Sequence, residues 1–381
     1  VMLSRHCVIL GRSLAHFRWN YGARLLSSSN GAPIERISPR SSYTEMTQWI
    51  MPSDTGVEGL TQGGVVMSWI DICAAIAARR VCGVPAVTAS MDALDFQQPL
   101  FNGDICTLQS WVNRTWHTSM EVEVQVLAES LDSTTRRHCV SAFLTFVALG
   151  PDGKRVHVPE LVPETAHEQR AWEAAFFRRQ ARLENSKHQP PVVSSRPSGQ
   201  EPQCVAGTTP CSSTYVETHR VVLPPHANSY GTAFGGKLMA WMEDLASVSA
   251  CRHARQPCVT VRVDDMHFKK PAMVGDVCII QAQANRTFRT SMEVGVRLLA
   301  QKSNEEEARL CAEATMVFAV SPRAKQEEEE AGGESKRPLR DLVPATVEEQ
   351  HRWEQAGLRR MARLKEREER LLRWRQAGGM A

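Results

Sequence analysis

A chain of 381 residues with 42% hydrophobic composition can bury two ordinary cores. Its 45 basic and 42 acidic residues, a formal net charge of +3, are spread along the chain, so no basic stripe argues for a nucleic-acid partner. No apolar run approaches the roughly 18 residues that a membrane span needs.

Residues 1–34 contain Arg5, Arg12, Arg18 and Arg24, a Ser27-Ser28-Ser29 run and no acidic residue. That is the composition of a mitochondrial transit peptide, and it also fits a disordered tail. Val1 ahead of Met2 suggests an incomplete start. A presequence implies the mitochondrial matrix; otherwise the cytoplasm is expected.

Beyond this segment the chain repeats itself. A shift of 172 residues carries Gly63-Gly64 onto Gly235-Gly236, Trp69 onto Trp241, Asp92 onto Asp264 and Phe96 onto Phe268. It also carries Asn113-Arg114-Thr115 onto Asn285-Arg286-Thr287, and Thr118–Val122 onto Thr290–Val294. A repeat this long is a duplicated domain rather than a solenoid unit. The expected domains are 45–184 and 215–370, joined by a linker 185–214. The Pro, Ser and Gly content from Gln189 to Thr214 reads as flexible.

In each copy the glycine pair leads into a stretch apolar almost all round, Val65–Ala78 and Leu238–Ala250, which predicts a helix buried on most sides. Strands follow at Val84–Phe96, Asp104–Trp116, Ser119–Ala128 and His138–Ala148. Their alternation is plain from Met120 to Leu127 and from Met292 to Leu299. An amphipathic Arg-rich helix, Glu164–Leu183, closes the first copy, and its counterpart runs from Thr346 to at least Leu364. The offset has by then grown to 181, which implies a nine-residue net insertion, placed in the charged stretch around Glu327–Glu330. The unit is therefore α+β, one long helix against a curved antiparallel sheet. The Asn-Arg-Thr triplets match a glycosylation pattern but read as strand residues. The eleven cysteines include no paired C-x-x-C spacing, so neither a metal site nor a redox motif is expected, and they read as reduced, buried thiols.

Asp71 stands among Trp69, Ile70, Ile72, Cys73, Ala74 and Ala75. An ionised carboxylate in such surroundings costs several kcal/mol unless paired, so a catalytic or substrate-orienting role competes with a hydrogen bond across an interface. Glu243 takes the matching position in the second copy. The glycine pairs let backbone N–H groups at a helix N-terminus approach a ligand oxygen, or alternatively let helix and sheet pack closely. A ligand carbonyl held by Gly235 and Gly236 would be stabilised there as it gains negative charge in a transition state. The copies differ at one further place. Asn228 lies eight residues before Gly236, whereas the matching position in the first copy is Gly56, which has no side chain.

The segments Leu223–Asn228, Phe234–Glu243 and Ser291–Val296, with Val87–Asp92 in the first copy, resemble the tandem hotdog acyl-CoA thioesterases. They resemble more closely the subgroup of cytosolic acetyl-CoA hydrolase and its relative with a lipid-transfer domain, over roughly residues 45–370. The resemblance implies two hotdog domains side by side, acyl-CoA in the cleft between them, and a catalytic pair formed by Asp71 of one domain and Asn228 of the other. Asp71 would act as general base for water, or as a nucleophile, and Asn228 would orient the water or the carbonyl. Gly56 and Glu243 would form a vestigial second site. The CoA-binding positions it implies are Ala89, Ser90, Met91, Thr118, Ser119, Met120, Phe268, Lys269 and Lys270. Arg178, Arg179 and Arg182 are offered for the phosphates, against a reading of that cluster as a solvated helix face. No cofactor beyond the CoA thioester substrate is implied. A homotrimer of tandem chains and a nucleotide effector are implied as well. The chain ends after the second unit, without the C-terminal lipid-transfer domain of those relatives, so regulation and substrate delivery are expected to differ. The competing functions are a hotdog enoyl-CoA hydratase or dehydratase, which usually needs a His beside the Asp, and a non-catalytic acyl-CoA sensor. His226 is the one loop candidate for such a His.

Overall fold

The computed structural model describes residues 36–56, 58–131, 135–185, 193, 207–321 and 338–376. The expectations placed on residues 1–34 and on the stretch around Glu327–Glu330 lie outside these. In the first repeat β1 (Arg36–Ile37) and β2 (Thr44–Trp49) precede the helix α1 (Gly63–Cys82). Then come β3 (Ala86–Met91), β4 (Leu94–Asp95), β5 (Ile105–Thr115), β6 (Ser119–Glu129), β7 (Arg137–Ala148), β8 (Glu160–Leu161) and the outer helix α2 (Ala166–Asn185). The second repeat has the same order: β9 (Thr208–Pro210), β10 (Val216–Val221), α3 (Gly235–Ala254), β11 (Cys258–Val263), β12 (Met266–Phe268) and β13 (Val277–Thr287). It closes with β14 (Ser291–Gln301), β15 (Arg309–Val320), β16 (Asp341–Val343) and α4 (Val347–Gln376). The α+β class and the helix-on-sheet unit are adopted twice.

The long strands join into one antiparallel sheet that runs through both repeats. The halves meet where β3 pairs with β12, Ser90 opposite His267, and where β4 pairs with β11, Asp95 opposite Arg262. On β6 every second residue, Met120, Val122, Val124, Val126 and Ala128, is buried against the helix side, and Met292 to Ala300 repeat this on β14. α1 ends at Gly83, whose φ of 66° places it in the left-handed region that glycine adopts without strain. Asn113 and Asn285 are buried beside the bulges of β5 and β13, out of reach of a glycan.

The reading of Gln189–Thr214 as a linker needs correction at its end. Thr208–Pro210 is a strand, paired in parallel with β16, just as β1 pairs with β8. Cys211–Thr214 is a 3₁₀ turn held by its hydroxyls: Thr214 Oγ1 donates to the Cys211 carbonyl at 2.7 Å and accepts from the Ala284 N–H at 2.9 Å. Ser42 does the same in the first repeat, donating to Pro39 and accepting from Val112. Small hydroxyl residues that look like linker composition here replace missing backbone partners.

The outer helices also differ from the sequence reading. Glu121 on β6 is wholly buried on the sheet face away from α1, and Arg178 and Arg182 of α2 bind its two oxygens at 2.6 and 2.7 Å. Arg182 Nη1 also donates to both oxygens of Asp92. Arg359 and Arg363 of α4 hold Glu293 in the same way. These arginines bind each outer helix to its sheet, since a buried carboxylate without a partner would cost several kcal/mol.

Candidate active site

The two central helices cross in opposite directions at contact too close for side chains. A Cβ built on Gly64 would lie 2.8 Å from the Ala240 Cα, and one on Gly236 would lie 2.8 Å from both the Ser68 Cα and the Asp71 Cβ. The second glycine of each pair thus serves helix-to-helix packing, while the first serves close packing on the sheet, Gly63 against Phe96 and Thr260 and Gly235 against Thr88 and Phe268. Gly236→Ala forces the backbones apart and is expected to destabilise the fold by about 1–3 kcal/mol, read as a lowered denaturation midpoint with unchanged m-value.

This approach places the carboxylate of each helix at the first turn of the other. Neither N-cap residue, Gln62 or Phe234, supplies a side-chain cap, so first-turn N–H groups remain to be satisfied. Asp71 Oδ2 accepts the Gly236 N–H of α3 at 2.7 Å, and its Oδ1 accepts the Thr88 hydroxyl of β3 at 2.6 Å. Reciprocally, Glu243 accepts from the Thr260 hydroxyl of β11, and its carboxylate faces the Gly63 and Gly64 amides of α1. Both carboxyls are buried, Asp71 to 1% exposure and Glu243 to 4%. Burial raises the Asp71 pKa above the usual carboxylate range, opposed by the Thr88 and Gly236 hydrogen bonds. Burial likewise pushes Glu243 up to about 7, opposed by Thr260 and the two glycine amides.

The Glu243 shift has a thermodynamic consequence with a definite sign. Its folded pKa of about 7 exceeds the ordinary 4.5, so between these values the native state holds a proton that the unfolded chain has lost. Its contribution is complete below pH 4.5 and is lost as pH rises through about 7. That window amounts to roughly 3 kcal/mol at about 1.4 kcal/mol per unit. Glu243→Gln is expected to remove this slope, so that the wild-type-minus-variant stability difference falls from pH 4.5 to 8 in denaturant titrations.

Thr88 and Thr260 were not picked out from the sequence. The signal was present, because the shift of 172 residues relates them and Thr88 lies inside the Val87–Asp92 segment.

Asn228 belongs to a tight loop leading into α3. Its backbone N–H donates to the Thr232 carbonyl, and Gly231, at φ 70°, donates back to the Asn228 carbonyl. The side-chain Oδ1 accepts from the Tyr230 and Thr232 amides at 2.9 and 3.2 Å. The amide is therefore oriented with its acceptor engaged and its NH₂ group left to donate. Gly56 occupies the matching loop, closed by the same bond from its N–H to the Leu60 carbonyl, with no side chain to present. The structure thus brings Asp71 and the Asn228 loop to one end of α3, and Glu243 and Gly56 to the matching end of α1.

The other positions implied for ligand binding divide. Phe268 packs against the start of α3, its ring 3.3 Å from where a Gly235 Cβ would stand. Ala89 is the extra residue of a bulge between Thr88 and Ser90. Ser90 is buried opposite His267, and Thr118 lies in the turn before β6. Met91 and Met120 are wholly buried core residues and offer no ligand surface. Arg178 and Arg182 are bound to internal carboxylates rather than held ready for phosphates or solvated. Arg179 lies over Trp116, 4.4 Å from its ring centre, and reaches the Ser119 hydroxyl. Lys269 pairs with Glu313, and Lys270 is exposed. His226 stands edge-on to Trp241, its Nδ1 accepting the Leu223 N–H.

Comparison with known proteins agrees with the duplicated fold. The model of the thioesterase superfamily matches twice, at residues 58–134 and 230–307. An acetyl-coenzyme A thioesterase of Mus musculus is 36% identical over 257 residues, which cover 67% of this chain and 46% of that protein. Acyl-coenzyme A thioesterase 11 of Mus musculus is 32% identical over 330 residues, 84% of this chain and 52% of that protein. The chain thus spans about half the length of these two relatives. The uncharacterized acyl-CoA thioester hydrolase YkhA of Bacillus subtilis is 40% identical over 149 residues, 39% of this chain and 87% of that protein. With one thioesterase domain matched in each of two equivalent helix-on-sheet repeats, the chain belongs to the thioesterase superfamily as a tandem hotdog protein.

Proposed function

We propose that this protein hydrolyses acyl-CoA thioesters to the free acid and CoA at a single site built from both repeats. The observation that carries this reading is Asp71, a buried carboxylate of the first repeat held by an α3 amide of the second, at the helix end that bears Asn228. Asp71 takes a proton from water as the water oxygen attacks the thioester carbonyl, and the raised pKa makes it a stronger base than an exposed carboxylate. The Asn228 NH₂ donates to the carbonyl oxygen as it becomes negative. Collapse of the tetrahedral intermediate breaks the C–S bond, and the proton held by Asp71 passes to the departing thiolate. Gly236 takes a smaller part than the sequence reading gave it, because its N–H holds Asp71. The Gly235 N–H is the member of the pair left for the oxyanion.

The mouse relatives are named for acetyl-CoA and acyl-CoA thioesters, which supports an acyl-CoA as the substrate class. Chain length is read by thiol release across acetyl-, butyryl- and palmitoyl-CoA, run with and without ATP and ADP to test the nucleotide effector. Release of thiol from any of these is the expected result. Consumption of crotonyl-CoA without thiol would identify a hydratase instead, and binding without turnover a sensor. Against the hydratase stands His226, whose Nδ1 is engaged by the backbone of its own loop. The homotrimer belongs to the same proposal and is tested by solution mass.

A further inference from the structure

Asn228 and Asp71 come from different repeats, so their relative position depends on what ties the Asn228 loop to the first repeat. One tie is the Gly236 N–H on Asp71. A second runs through Tyr230. Its backbone amide donates to Asn228 Oδ1, and its hydroxyl crosses to the first repeat, donating to the Leu149 carbonyl at 2.6 Å and lying 3.1 Å from that of Gly150. Leu149 in turn donates its N–H to the Pro85 carbonyl at 3.0 Å, directly before β3. β3 carries Thr88, whose hydroxyl holds Asp71. Hydrogen bonds joined by short covalent segments, the Tyr230 side chain and the β3 backbone from Pro85 to Thr88, thus lead from the Asn228 amide oxygen to the Asp71 carboxylate, and the Tyr230 hydroxyl is the step that crosses between repeats. The matching step at the other helix end is a different pair, Glu58 accepting from the Ser321 hydroxyl, with Ser321 N–H on the Pro257 carbonyl ahead of β11.

We propose that Tyr230 is a positioning residue for the thioesterase site, closing the frame that holds the Asn228 donor over the thioester carbonyl. The inference rests on the reading of Asn228 and Asp71 given above. Its action is geometric: an amide displaced by a fraction of an ångström weakens its bond to the oxyanion more than it weakens substrate binding.

Tyr230→Phe keeps the ring and removes the crossing bond. The expected result is a kcat about tenfold lower with KM changed less than twofold. The melting temperature should fall by no more than a few degrees, which establishes that the variant is folded. Asn228→Ala with Tyr230→Phe should be no slower than Asn228→Ala alone, because a positioning residue has nothing left to position. Ser321→Ala, which removes the matching bond at the other helix end, should retain wild-type kcat. A wild-type kcat in Tyr230→Phe, or full additivity in the double variant, overturns the inference while leaving the proposed function standing. A wild-type kcat in Asn228→Ala overturns both.

Discussion

Asp71→Asn is expected to lower kcat by about 10²–10⁴-fold, the usual contribution of a positioned general base. The substitution is nearly isosteric, and its amide oxygen can still accept from either Thr88 or Gly236, so the helix contact is retained in large part. What disappears is the capacity to take a proton from water. The pH dependence separates this from a structural effect. Because burial raises the Asp71 pKa, the wild type should lose activity as pH falls through that raised value, since the base is then protonated. The residual rate of the variant should lack that limb. Steady-state kcat and kcat/KM from pH 5 to 9, measured by thiol release, check both points, with circular dichroism to show that the fold persists. If Asp71 were only the cap of α3, the variant would lose stability and keep its pH profile.

Much of the fold was legible because the duplication exposes its own alignment. The buried helix, the alternation on β6 and β14 and the split between Asn228 and Gly56 all follow from reading one copy against the other. Three things were not legible, each for a physical reason. The turn at Cys211–Thr214 looks like linker because the hydroxyls that replace its backbone partners are the same residues that favour loops. The arginines of α2 look like a surface cluster because nothing local marks Glu121 as buried; its burial depends on a helix more than forty positions away folding back over β6. The reciprocal capping of α1 and α3 joins residues 165 positions apart, so sequence spacing shows Asp71 and Gly236 separately and never as partners. The repeat marks the Thr88 position, but its partnership with Asp71 shows only once β3 is seen beside α1.

Asn228 carries the second large prediction. Asn228→Ala should reduce kcat by about 10²–10³-fold, the range for removing one oxyanion donor. Alanine also removes the acceptor that holds the Tyr230 and Thr232 amides, so part of that loss comes from the loop. Asn228→Asp separates the two effects, since a carboxylate still accepts both amides but offers no N–H to the thioester oxygen. It also brings a second negative charge to the helix end shared with Asp71, which raises the proton affinity of the base further. Asn228→Asp should therefore be at least as slow as Asn228→Ala while keeping near wild-type stability. An Asn228→Asp enzyme with wild-type kcat would mean that the loop, and not the donor, matters. The other helix end supplies the internal control. Glu243 has its threonine and its glycine amides, but Gly56 provides no donor over it, so a thioester bound there would develop oxyanion charge without that stabilisation. Glu243→Gln should accordingly leave kcat within about twofold while changing the pH dependence of stability. A loss in Glu243→Gln comparable to that in Asp71→Asn would show instead that both helix ends turn over substrate and that the amide is dispensable at one of them.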